Sequence, residues 1–147
     1  MRLVRIHSDG TLDDPGLETT PLVEEVLRDT VKFYDRSDFD PPWISYLGVS
    51  NGEVVGSCSF KGAPKDGRVE IAYFTFPEGE GRGFATEMVR LLLDTAYNRD
   101  PAVTVTARTL KEKNASHTVL EKSGFTAEST VTDPEDGEVL EWVHSRS

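Results

Sequence analysis

Between Arg68 and Ala107 the chain passes from a β-branched and aromatic run, Arg68-Val69-Glu70-Ile71-Ala72-Tyr73-Phe74-Thr75-Phe76, through a glycine-rich turn into a helical pattern, and out again into Ala102-Val103-Thr104-Val105-Thr106-Ala107. Pro77 stops the first run. After the turn, Phe84, Ala85, Met88, Val89, Leu92, Leu93, Ala96 and Tyr97 recur at i, i+4 in two adjacent rows, the signature of an amphipathic helix. A strand, a helix and a strand in succession imply a right-handed crossover and a parallel strand pair.

The flanks read differently. Trp43 to Val49 and Glu53 to Phe60 lie on either side of Asn51-Gly52, a strong hairpin signal, so they predict two antiparallel strands. Leu3 to Ile6 reads as a first strand. Thr20 is a helix N-cap with Pro21 at the first helical position, and the apolar spacing from Leu22 to Tyr34 predicts a helix ending near Pro41-Pro42. Ala115 to Ser123 predicts a short helix closed by Gly124, and a last strand pair flanks Asp133 to Gly137. The order β-α-β-β-β-α-β-α-β-β is an α/β arrangement: a mixed, mostly antiparallel sheet with one central parallel pair.

At 147 residues, with no repeat or long linker, the chain is expected to form one domain, 1–147. The net charge of −10 argues against nucleic acid or an anionic membrane as the main partner and leaves cationic partners such as amines open. The single cysteine, Cys58, cannot form an internal disulfide or a multi-thiolate metal site, and the spacing of His7, His117 and His144 makes no metal site either. The expectation is therefore a cytoplasmic protein without a metal.

Glu80-Gly81-Arg82-Gly83-Phe84-Ala85 sits between a strand end and a helix start. Glycines there let backbone N–H groups point outward, and the helix N-terminus adds partial positive charge, a combination suited to holding phosphate. An ordinary surface turn is the alternative; the strand before and the helix after favour phosphate. The G-x-x-x-x-G-K-[ST] motif is absent, as is G-x-G-x-x-G followed by an acidic residue.

Together with Val69 to Tyr73, Ala107-Arg108-Thr109 and Ser116 to Phe125, this turn resembles the GNAT superfamily of acyl-CoA-dependent N-acyltransferases, in particular its RimJ/RimL-like branch. The resemblance covers Trp43 to Phe125. Gly83 and Ala85 match the family pattern [QR]-x-x-G-x-[GA], whereas Glu80 takes the Gln/Arg place. The resemblance implies a sheet splayed at the parallel pair, with helices on both faces and acetyl-CoA in the gap as co-substrate. Main-chain groups of Phe74 and Phe76 would pair with pantetheine, and Gly81, Arg82, Gly83, Phe84, Ala85 and Thr86 would cradle the pyrophosphate. Asn114, one place along from the family's asparagine position, is carried over as a further cofactor contact.

Acetyl transfer to an amine needs a base, an oxyanion donor and a proton for the leaving thiolate. Glu70 shares a strand face with Ala72, Phe74 and Phe76, and this apolar setting would raise its carboxyl pKa; the alternative is a solvated carboxylate. The resemblance favours the base. The Phe74 N–H is the oxyanion donor expected from a splayed strand. Where many relatives carry an acid Tyr stands Leu120, and Ser116 is the substitute, its other reading being a helix cap. The partner is then an amine-bearing small molecule or a protein N-terminus, and a homodimer is compatible with this. Two other readings stand beside the enzyme: a non-catalytic acyl-CoA-binding module, and a phosphate-binding or interaction domain.

Overall fold

In the computed structural model, which describes residues 1–146, the hairpin turn and the crossover helix organise a single sheet. The elements are β1 (Arg2–Arg5), α1 (Pro21–Asp35), β2 (Ser45–Ser50), β3 (Glu53–Phe60), β4 (Arg68–Thr75), α2 (Phe84–Arg99), β5 (Thr104–Leu110), α3 (Ala115–Lys122), β6 (Phe125–Asp133) and β7 (Gly137–His144). The strand order is β1-β2-β3-β4-β5-β7-β6. Among the described residues only the β4–β5 neighbours are parallel. This is the mixed α/β architecture read from the sequence.

Helices cover both faces. Gly48, Gly56 and Thr75 lie in register across β2, β3 and β4, and a Cβ at Gly48 or Gly56 would strike Met88 of α2. Ser57 and Phe74, the adjacent register pair, must point the other way, and they border a groove whose far wall is α1. Helix α3 lies on the α2 side, where its His117 meets Thr109 and Trp142. Between these layers Ile44, Leu47, Phe60, Ile71, Met88, Leu92 and Leu120 are fully buried.

A buried tyrosine fastens α1. The Tyr34 hydroxyl donates to Ile6 O at 2.8 Å and accepts from the Ser45 N–H at 2.9 Å, joining the end of β1 to the start of β2. The helix stops at Asp35, short of the Pro41-Pro42 limit expected, because its apolar stripe ends at Tyr34. Phe39 then folds back edge-on against the Tyr34 ring, 5.2 Å between centroids.

Strand β5 is displaced from its expected Ala102–Ala107 span. An Asp100 turn, closed by bonds from the Ala102 N–H to the Asp100 carboxylate and from the Val103 N–H to Asp100 O, uses up the residues before Thr104. At the far end, pairing with β7 continues through Leu110–Val139. Pairing across a sheet extends a strand beyond its local β pattern.

Gly56 allows β3 to pass under α2. An added Cβ would stand 2.4 Å from the Phe74 carbonyl oxygen and 2.9 Å from Met88 Cε. Gly56→Ala is therefore expected to cost about 1–3 kcal/mol and to lower Tm by roughly 3–10 °C, read by thermal denaturation.

Candidate active site

The main-chain bonds at the two ends of the β3–β4 ladder set its phase. The Lys61 N–H donates to Glu70 O at 2.8 Å and the Phe76 N–H to Val55 O at 2.9 Å, with an unbroken register between them. In an antiparallel ladder every second residue faces the partner, so Glu70, Ala72, Phe74 and Phe76 direct their main-chain groups to β3. Their odd-numbered neighbours turn toward β5, as Gly67 O does in accepting the Thr104 N–H at 2.8 Å. Parallel pairing ends at Ile71–Ala107. From there the strands part, and the groups facing the gap belong to Tyr73 and Thr75. The expected donors, Phe74 and Phe76, are already committed to β3.

A cleft of about 590 Å³ opens at this gap, bounded by Tyr73 and Thr75, by the glycine turn, and by Ser116, Val119 and Lys122 of α3. Gly81 and Gly83 have φ of 79° and 81°, and a Cβ on either would meet nothing within 4 Å. The turn thus combines left-handed backbone with free volume. No side chain caps α2, whose first backbone bond runs from the Glu87 N–H to Gly83 O at 3.1 Å. The N–H groups of Phe84, Ala85 and Thr86 are left for an anion, and these three residues line the cleft. Thr75 Oγ1 is also buried without a partner. Arg82 lies outside the lining, its guanidinium 4.8 Å above the Phe84 ring.

On α3 the sequence assignments part company. Asn114 is the N-cap: its Oδ1 accepts the Ser116 N–H at 2.9 Å while its Nδ2 donates to Glu112 O at 3.0 Å. It borders a separate hollow with Arg108, Leu110 and Asp136 instead of the cleft. Ser116 is inside the helix, not its cap, and lines both hollows. His117 is buried, with Nε2 2.9 Å from Leu110 O and 3.1 Å from Thr109 Oγ1, a packing role. Leu120 is fully buried.

Glu70 does not have the apolar setting expected of it. Its carboxylate lies 3.4 Å from Lys61 Nζ and 3.6 Å from Arg108 Nε. Arg108 also reaches Asp133 at 3.2 Å and Glu141 at 3.5 Å. Burial works against the Arg108 charge, yet the Asp133 hydrogen bond and the Glu70 and Glu141 carboxylates hold its pKa above the usual value. Lys61 lines the groove beneath α1 together with Ser57, Ser59 and Phe74, and Glu25 and Asp29 add carboxylates from the helix side. Phe74 is 46% exposed there. Among the described residues no helix is long and apolar enough to cross a membrane, and no three His, Cys, Asp or Glu residues gather around a metal position.

A sheet parted at its one parallel pair, with an uncapped helix start at the mouth, is a GNAT-type acetyltransferase fold. Residues 7–126 match the model of the acetyltransferase (GNAT) domain, and the chain belongs to that family. It is 29% identical over 128 residues to the uncharacterized N-acetyltransferase YjdG of Bacillus subtilis (strain 168), covering 86% of this chain and 70% of that one. The aminoglycoside acetyltransferase AAC(6')-Ib, solved with coenzyme A, superposes with a TM-score of 0.61 at 26% identity over 70% of this chain and 66% of that one. This chain spans just under two thirds of that enzyme. The ribosomal L7/L12 α-N-protein acetyltransferase RimL shares the fold, with a TM-score of 0.63 at 18% identity over 86% of this chain and 72% of that one.

Tyr73, Thr75, Lys122 and the groove carboxylates Glu25 and Asp29 were not singled out in the sequence. Spacing marks some of them: Ala115, Val119 and Lys122 fall on one face of α3, and Glu25 and Asp29 are i, i+4 on α1. The phase of β4 has no such marker. Because Asn114 caps α3 and Ser116 does not, Asn114→Ala should lose about 0.5–2 kcal/mol in urea denaturation. Ser116→Ala should stay within about 0.5 kcal/mol of the parent.

Proposed function

We propose that this chain transfers the acetyl group of acetyl-CoA to a primary amine by direct attack. The observation that carries the reading is the parting of β4 and β5 beyond Ile71–Ala107, with the uncapped start of α2 at the mouth of the gap. Acetyl-CoA fits this cleft as co-substrate: the Gly81–Thr86 backbone takes the pyrophosphate, and Tyr73 and Thr75 main-chain groups pair with pantetheine as a further strand would. The Tyr73 N–H, the first gap-facing β4 donor beyond the last paired residue, serves the oxyanion in place of Phe74.

The amine enters on the opposite face, through the groove under α1. Glu25 and Asp29 there, and the net charge of −10, favour a cationic acceptor, either a small amine or a protein N-terminus of the kind RimJ/RimL-like enzymes take. Glu70 relays the amine proton through water, since it lies three residues, ~10 Å, from Tyr73 along the strand. The unit works as one acyltransferase domain over 1–147, and a reducing cytoplasm suits its lone buried thiol, Cys58.

A panel of polyamines, aminoglycosides and peptide N-termini, assayed by release of free CoA, tests the activity. Turnover on one class is expected. Tight acetyl-CoA binding with no turnover on any amine would leave a non-catalytic acyl-CoA-binding module. Gly83→Val, which adds a branched side chain at φ 81° in the cradle, should abolish CoA binding in calorimetry while the fold persists. Glu70→Gln should lower kcat by roughly 10²- to 10⁴-fold with acetyl-CoA affinity retained. An unchanged pH–rate profile in that variant removes Glu70 from the proton path.

A further inference from the structure

Resting on that reading, we infer that the Tyr73 hydroxyl is the hydrogen-bond and proton donor to the departing thiolate. Three observations converge on it. Tyr73 is the first β4 residue past the last parallel pair whose main chain faces the gap, so it stands at the vertex. Its side chain points to the α2/α3 face, opposite to Phe74, which is the face of the cleft proposed to hold acyl-CoA and therefore the CoA sulfur. Its hydroxyl reaches α3, donating to Ser116 O over 3.5 Å. A bond that long is easily exchanged for a better acceptor.

The neighbouring groups leave few rivals. Leu120 is fully buried and its hydrocarbon side chain has no proton to donate to a thiolate. His117 is turned toward Leu110 O and Thr109. Cys58 is buried, and burial drives its thiol far above the usual range. Burial likewise raises the Tyr73 phenol, against a smaller opposing effect of the Ser116 bond, so the O–H is present throughout the neutral range.

The step balances as follows. The amine nitrogen, having given one proton to the base, forms the C–N bond and sheds its second proton to solvent as the tetrahedral intermediate collapses. The C–S bond breaks with its electron pair on sulfur, and the Tyr73 proton moves to that sulfur. A free thiol is the stronger acid, at about 8.5 against about 10 for a phenol, so the bond acts while charge is developing. The tyrosinate then regains a proton from solvent. CoA leaves as the thiol, and one proton is released overall.

Tyr73→Phe keeps the ring and removes only the hydroxyl. In the full chain, with the best amine from the panel, kcat should fall by roughly 10²-fold or more, with KM for acetyl-CoA and Tm close to the parent values. A fluorinated tyrosine installed at position 73, whose phenol is more acidic, should shift the alkaline limb of the kcat profile to lower pH. A merely structural role would leave that limb in place. An active parent with undiminished kcat in Tyr73→Phe, or with KM alone raised, overturns the assignment of Tyr73 by itself. A parent that binds acetyl-CoA and turns over no amine overturns the acetyltransferase reading, and the assignment with it.

Discussion

The site depends on two neighbouring strands being held by different partners. β4 stays in register with β3 as far as Thr75, and β5 stays in register with β7 as far as Leu110. Each central strand is fixed on its outer edge, and right-handed sheet twist then separates them where they no longer share bonds. A gap inside a sheet leaves backbone donors and acceptors without partners, a state costly unless a ligand or water completes them. Tyr73 and Thr75 are in that position. Arg108 fastens the vertex by reaching Glu70 on β4, Glu141 on β7 and Asp133 at the end of β6.

The same geometry sorts the chemistry by face. On the α2/α3 side lie the glycine turn, the unpaired N–H groups of Phe84 to Thr86, and the Tyr73 hydroxyl. The α1 side holds the small hydroxyls of Ser57 and Ser59, the exposed Phe74 ring, and the Glu25 and Asp29 carboxylates. On the proposed reading, an acyl donor held on one face and an amine entering from the other would meet only through the gap. The faces taken by Ser57, Ser59, Tyr73 and Phe74 follow from strand alternation.

The parallel crossover, the hairpin at Asn51-Gly52, the start of α2 and the glycine turn were legible because each rests on local periodicity or turn chemistry. The β5 span was not, because its last residues are strand only through pairing with β7, about thirty positions away. Phe74 and Phe76 were expected to face the ligand on their side-chain pattern. That pattern tells which residues share a sheet face; it does not tell which N–H groups point to which neighbour, a matter of register with β3. The Glu70 setting was misread for a related reason: Lys61 lies nine positions from it and Arg108 thirty-eight, and both converge on it only in the folded sheet. Asn114, expected at the cofactor, is instead the cap of α3, because the helix starts at Ala115, as read from the sequence, and Asn114 immediately precedes it. Ser116, whose other reading was a cap, lies one residue inside.

The central claim is that the unpaired edge of β4 receives the acyl-CoA chain. Amide hydrogen exchange followed by NMR, with and without acetyl-CoA, tests it at single residues. The account predicts that the Phe74 amide is protected in both states by its bond to β3, while the Tyr73 and Thr75 amides are fast in the free protein and slow markedly when acetyl-CoA is added. Exchange at Tyr73 and Thr75 that does not change under saturating acetyl-CoA, or protection gained at Phe74 instead, would contradict it.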